Sequence, residues 1–242
     1  MNNEQNDIRF LIRLYHELSH PSEALDQVEI LSECYPSFTI EDLNLLNAVA
    51  KEAIDPLRQT IGTLDFYYIS EVDDQNADKA HILLEKKQQV SDELLATCHR
   101  ILSLMNEKIL PNAPNPEARA LSFKIIGDLN RYIIDSDVQN ELERAKNDAG
   151  SAYKHSLQIY NSEVEYFSPI KLHVILNYAV FLYNNLQRKE QAINLLQDAL
   201  TNEAAGIKDL VNDHERYDQA INSLSVMKTN LMAWTSSDHN AA

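Results

Sequence analysis

Lys51, Asp55 and Arg58 fall at i, i+4 and i+7, so at 3.6 residues per turn they form one stripe on a helix. Lys124, Asp128, Arg131 and Asp135 repeat the basic-acidic-basic order within LSFKIIGDLNRYIID, residues 121–135. There Phe123, Ile126, Leu129, Ile133 and Ile134 cover much of the remaining circumference, leaving one narrow charged seam on a helix that is apolar elsewhere. Charge half-buried in this way is costly unless paired. Two such seams turned toward each other make a cationic pocket whose own carboxylates hold the basic side chains in place. The chemistry this suits is phosphate recognition, because guanidinium forks meet phosphate oxygens bidentately and each charge-assisted bond is worth about 1.5–3 kcal/mol. Tyr132 adds a hydroxyl donor. The bland alternative is two solvated faces whose i,i+4 pairs contribute a few tenths of a kcal/mol each.

A second arrangement competes with the first. His16-Glu17-Leu18-Ser19-His20 fits H-E-x-x-H, in which two histidines on one helical face bind zinc and the glutamate acts as base. Here the second histidine adjoins Pro21 at a helix end, no strand precedes the motif, and no third ligand is evident. A polar helix face is the plainer reading, and no metal site, cofactor or catalytic residue is assigned. His173 lies in an apolar helix as a packed or groove-lining imidazole. The sequence holds no glycine-rich phosphate loop, Gly-x-Ser-x-Gly elbow or paired-carboxylate arrangement, so the expectation is a protein that is not an enzyme.

Charge limits the partners. A formal charge of −16 in 242 residues repels a phosphate backbone and an anionic membrane alike, so neither nucleic acid nor membrane is expected and any basic patch is local. The N-terminus, MNNEQNDIRFLIRLYHEL, has acid before its first apolar residue and is not read as a signal peptide. No run of 18 apolar residues occurs. Cys34 and Cys98 belong to no CxxC pair or Cys/His ligand set, and reduced thiols in the cytoplasm are the default, with the nucleus also open to the protein.

Helical periodicity runs from end to end with no convincing strand, and 4 Gly and 7 Pro are too few for a loop-rich or barrel-like fold. The expected helices cover about 7–18, 22–34, 39–72, 77–109, 121–135, 138–163, 169–184, 189–204 and 208–234, followed by a short frayed tail. Ser22 is the expected cap of the second. Thr39 and Asp42 form a capping box opening the third. Inside that helix Pro56 removes the bond to the Glu52 carbonyl, which predicts a kink or local break. Ser168-Pro169 is an N-cap followed by a first-turn proline. The fold class is all-α, nine antiparallel helices.

Five stretches occur in order and at consistent spacing: NLLNAVAKEAIDPLRQ, SLMNEKILPNA, FKIIGDLNRY, SPIKLHVILNYAVFLYN and KTNLMAWTSSD. Together they resemble the 14-3-3 family over about residues 44–238. The resemblance implies nine helices per subunit in a concave, cup-shaped array, cup-shaped dimers, and binding of phosphoserine or phosphothreonine segments of client proteins. Carried over residue by residue, it implies a phosphate pocket of Lys51, Arg58, Arg131 and Tyr132, with Lys124 as a further basic groove residue. Asn177 and Asn230 match the asparagines that hydrogen-bond the bound peptide's backbone. Leu176, Val180, Val226 and Trp234 match the apolar side of the groove or its support. On this reading residues 1–242 are one domain, with N-terminal helices to about 75 as the dimerisation region, most of the groove within 115–236, and a tail at 237–242.

The chain also departs from the family pattern. Asn184 stands where the family has a glutamate balancing the basic cluster, Gly62 where it has another arginine, and Asn222 and Ser223 where it has bulky aliphatics. Pro56 has no family counterpart and stands to rotate Lys51 and Arg58 relative to each other. The Glu-Arg-Tyr-Asp-Asp segment that pairs across the family's dimer is replaced by His20-Pro21-Ser22-Glu23-Ala24. Of Lys86, Gln89 and Glu93, only Glu93 keeps the family residue. A homo- or heterodimer through the N-terminal helices is therefore weakened in its salt bridges, with Phe10, Leu11 and Leu14 left to make an apolar contact. The function implied is a phosphorylation-dependent adaptor; the alternative is a helical scaffold that binds clients without phosphate through a more polar groove.

Overall fold

The computed structural model describes residues 3–164 and 166–239. Among them are nine α-helices and no strand: α1 Asn3–Glu17, α2 Pro21–Cys34, α3 Ile40–Asp73, α4 Ala77–Leu104, α5 Pro116–Asp135, α6 Gln139–Ser162, α7 Pro169–Asn184, α8 Lys189–Asn202 and α9 His214–His239. They group into two compact units, Met1–Ala149 and Gly150–Ala242.

In the first unit the capping box at α3 forms as expected. The Asp42 amide donates to Thr39 Oγ1 at 3.2 Å and the Thr39 amide to Asp42 Oδ2 at 3.0 Å. Asp42 also receives a fork from Arg9, with Nε at 2.6 Å and Nη2 at 2.7 Å, tying α1 to the start of α3. Burial pushes this carboxyl up, but the Arg9 fork and the Thr39 amide outweigh it and hold it below the usual carboxylate range. Pro21 occupies the first turn of α2 with His20 at the N-cap, so the helix starts ahead of Ser22. The break expected at Pro56 does not occur. α3 runs through it, because Pro56 lies on the exposed side and buried residues of the same helix, Ile54 before it and Ile61 after it, anchor both flanks in the core.

α4 gives way to a π-helical turn, Met105–Ile109, and a 3-10 turn, Leu110–Asn112, so the helical run expected to 109 is present with a changed pitch. α5 then begins earlier than its apolar pattern, at Pro116, capped by Asn115 Oδ1 accepting from the Ala118 amide at 2.8 Å. Leu46, Ile54, Leu94, Ile101, Met105, Leu121 and Leu129 are buried to 2 % exposure or less and form the core beneath these helices.

In the second unit α7 is buried over much of its surface, and α8 and α9 pack on it and on each other. Leu172, Leu196, Ala220 and Met227 are fully buried. Residues Ala204–Leu210 form a 3-10 segment. There a Cβ on Gly206 would stand 2.4 Å from Cδ2 of Phe167, so the aromatic ring occupies the space that any larger residue would need. α9 starts at His214 instead of 208. It also continues to His239, so the expected tail is helical as far as 239, and 240–242 lie outside the described residues. The Thr235 and Ser236 hydroxyls donate back to the Leu231 and Met232 carbonyls within this last stretch.

Candidate functional site

α3 and α5 pack together in the first unit and bring their charged stripes to one spot. Arg58 reaches from α3 to the last residue of α5: its Nε lies 2.8 Å and its Nη2 2.7 Å from Asp135 Oδ2. Its Nη1 donates to Asp55 Oδ1 at 3.0 Å, one turn back on its own helix. The guanidinium carbon of Arg58 lies 4.6 Å from the centre of the Tyr132 ring, and that of Arg131 lies 4.8 Å from the same centre. Two cations thus share one aromatic ring, whose quadrupole attracts each of them.

Tyr132 is 4 % exposed. Burial, and then the Asp128 carboxylate, push its hydroxyl up to about 12, so it stays a proton-bearing donor at neutral pH. Asp128 is the buried anchor of α5. Lys124 Nζ lies 2.7 Å from Asp128 Oδ2, with the two side chains 7 % and 2 % exposed, and Arg131 Nη2 lies 3.9 Å from Asp128 Oδ1. Lys124 is therefore a buried partner of Asp128 and offers little surface of its own. Lys51 is exposed and makes no ion pair among the described residues. Arg58, Arg131 and Tyr132 are brought into contact, Lys124 joins them through Asp128, and Lys51 stands two turns before Arg58 on the same helix.

Asp135 was on the sequence stripe, but its partnership with Arg58 spans 77 positions and no local spacing reveals it. Cys98, a thiol outside any CxxC pair or Cys/His set, lies on α4. It is fully buried, and burial raises its thiol to about 12 against the opposing pull of the nearby Arg58 cation.

The second unit carries the remaining residues. Leu176, Asn177 and Val180 lie half-buried on α7. Val226, 46 % exposed, and the half-buried Asn230 lie on α9. Trp234 is 9 % exposed and stacks on Tyr183 with ring centres 4.2 Å apart and planes 8° from parallel, which makes it a support of α9 against α7. Asn184 and Asn222 are exposed. Ser223 is not a polar feature of the surface: it is 2 % exposed and its hydroxyl donates to the Gln219 carbonyl at 2.8 Å. Gly62 is exposed, with open space where a side chain would begin.

The H-E-x-x-H motif is taken apart by the fold. α1 stops at Glu17 and Ser19 takes a left-handed conformation, φ 56°. His16 Nδ1 meets Glu52 Oε2 at 2.6 Å, while His20 Nδ1 meets Glu23 Oε1 at 3.1 Å. The two imidazoles serve different carboxylates.

A family model described as 14-3-3 protein matches residues 11–235. The chain is similar to a 14-3-3 protein homolog of Trichoderma harzianum, 25% identical over 232 residues that cover 96% of this chain and 88% of the relative. It is also similar to the checkpoint signal transducer rad25 of Schizosaccharomyces pombe, 25% identical with 98% and 87% covered. With 14-3-3 protein I of Plasmodium falciparum it shares 27% identity, covering 82% and 75%. The all-helical architecture and a match over residues 11–235 lead to one conclusion: the chain belongs to the 14-3-3 family.

Proposed function

We propose that this protein is an adaptor that binds phosphoserine or phosphothreonine segments of client proteins in extended form. Arg58, Arg131 and Lys51 take the phosphate oxygens, and the Tyr132 hydroxyl donates to one of them. Asn177 and Asn230 hydrogen-bond the ligand backbone, and Leu176, Val180 and Val226 meet its side chains. Trp234 and Lys124 act from behind, the first by fixing α9 and the second by holding Asp128. Members of this family act as adaptors and not as enzymes, and they dimerise; self-association here falls to α1, where Phe10 is 61 % exposed. No helix among the described residues is long and apolar enough to cross a membrane.

The observation that carries this reading is the pair of guanidiniums held against one tyrosine ring, at 4.6 and 4.8 Å. Two like charges so close repel, and Asp55, Asp128 and Asp135 offset that repulsion only in part, since Lys51 and Lys124 add to the positive side. Four cations against three carboxylates leave one positive charge in excess, which a phosphate group more than neutralises. Arg58 has five N–H donors; the Asp135 and Asp55 contacts engage three and leave two for a ligand. The scaffold reading has weaker support, because Ser223, one of the residues that would make the groove polar, is buried.

The test is a titration of one phosphoserine peptide and its unphosphorylated twin. Loss of either arginine removes about 1.5–3 kcal/mol per charge-assisted bond, so Arg58→Ala and Arg131→Ala should each weaken the phosphopeptide about tenfold or more and leave the plain twin unchanged. Phosphopeptide binding that survives the double substitution would sink the assignment.

A further inference from the structure

The stripe that carries Lys51, Asp55 and Arg58 does not end at Arg58. At 100° per residue, Gly62 and Ile69 share its bearing on α3 and Phe66 sits at its edge. Phe66 is 71 % exposed and Ile69 60 % exposed, two of the larger apolar surfaces on a chain of charge −16. Both face solvent on the same helix as the phosphate cluster. Between Arg58 and Phe66 the surface is open, because Gly62 has no side chain and nothing stands within 4 Å of where its Cβ would be. Gln59, Thr63 and Ser70 flank this face and are likewise exposed, while Asp65, seven residues on from Arg58, lies on the stripe itself and is paired with Lys87 Nζ at 2.8 Å. Tyr67 supports the far end, its ring 5.7 Å from that of Phe66 in an edge-on arrangement.

We infer that Gly62, Phe66 and Ile69 form an apolar subsite in line with the phosphate cluster. Its occupant is a bulky aliphatic or aromatic side chain of the phosphorylated segment itself. The inference rests on the phosphopeptide reading of Arg58 and Arg131. Continuity with that cluster argues for this occupant, since a ligand anchored at Arg58 and running along α3 meets open space at Gly62 and then passes Asp65, whose charge Lys87 already partners, before it reaches Phe66 and Ile69. The geometry also gives the spacing. Phe66 lies about 12 Å and Ile69 about 16 Å along the axis from Arg58 at 1.5 Å per residue. An extended chain advances about 3.3 Å per residue, so these residues lie about four and five positions from the phosphorylated residue. Burying one such side chain against them removes water from both partners.

The experiment titrates the full chain with fluorescent phosphoserine peptides carrying Leu or Ser at the third, fourth or fifth position on either side of the phosphoserine. Unphosphorylated twins and sedimentation velocity accompany them. Leu at one of these positions should tighten binding at least tenfold. A Phe66→Ser, Ile69→Gln double variant, changed only at exposed positions, should abolish the preference while keeping the affinity of the Ser peptide. Gly62→Arg, which fills the notch with charge, should reduce the preference as well. Phosphopeptides that bind with no preference for Leu, or a preference that survives the double variant, overturn the subsite and leave the phosphate reading intact. If no phosphopeptide binds, both fall. If the double variant instead changes the sedimentation of the protein alone and no preference exists, the face is a contact between copies of this chain and the subsite is overturned.

Discussion

Tyr132 has two jobs that substitution can separate. Its ring lies between two guanidiniums, and its hydroxyl, held near 12 by burial and by Asp128, is the donor offered to a phosphate. Tyr132→Phe keeps the ring and removes the donor, so phosphopeptide affinity should fall about tenfold or more while the thermal midpoint stays close to that of the native chain. The pH dependence has a defined sign. The folded value of about 12 lies above the ordinary 10.0, so the folded state holds this proton more tightly than the unfolded state does. The associated stability is complete below pH 10 and is lost as pH rises toward 12. Denaturant midpoints measured across that window should decline less in Tyr132→Phe than in the native protein; parallel declines would mean the hydroxyl is not buried as described.

Four helix ends close on residues other than glycine. Ser19, Gln75, Asp137 and Gln187 take φ of 56–57° just past α1, α3, α5 and α7, the left-handed position where glycine is the usual occupant. At α3 the Asn76 amide reaches the Glu71 carbonyl at 2.8 Å, so the cap is made despite the strain on Gln75. Gln75→Gly should therefore raise stability by about 1 kcal/mol, read as a higher urea midpoint with an unchanged slope. An unchanged midpoint would show that the side chain of Gln75 contributes as much as its strain removes. These caps were illegible in the sequence because nothing marks a glutamine as a left-handed residue. The same limit applies elsewhere. Thr39 with Asp42 and Asn115 with Pro116 reveal or fit their helix starts, because capping is local chemistry. The apolar periods of α5 and α7 likewise give their burial. Of the 3-10 segment at 204–210, the last three residues were read into α9 and 205–207 as the link before it, since no local pattern shows that Phe167 packs where a side chain at 206 would stand. For the site, the stripes on α3 and α5 were readable, whereas the Arg58–Asp135 contact and the burial of Lys124 and Ser223 depend on which helices meet.

At the scale of the whole chain, two compact units each carry their own core, and each contains a natural probe. Cys98, fully buried with its thiol raised to about 12, lies in the first unit. In the native state it should resist an alkylating reagent at pH 8 that modifies the exposed Cys34, because the thiolate is the reactive form. The one tryptophan of the chain, Trp234, lies in the second. Urea unfolding followed by Cys98 alkylation and by Trp234 emission should give two curves with different midpoints. Coincident curves would show that the units unfold as one.

Trp234 and Tyr183, parallel to within 8° at 4.2 Å, also give the second unit an optical signature. Rings fixed in one chiral arrangement produce a near-ultraviolet dichroism band that disappears when side-chain packing loosens, even where the helices persist. With no other indole in the chain to contribute to its long-wavelength edge, that edge measures the tightness of α7 against α9 directly, in the intact protein and without a label.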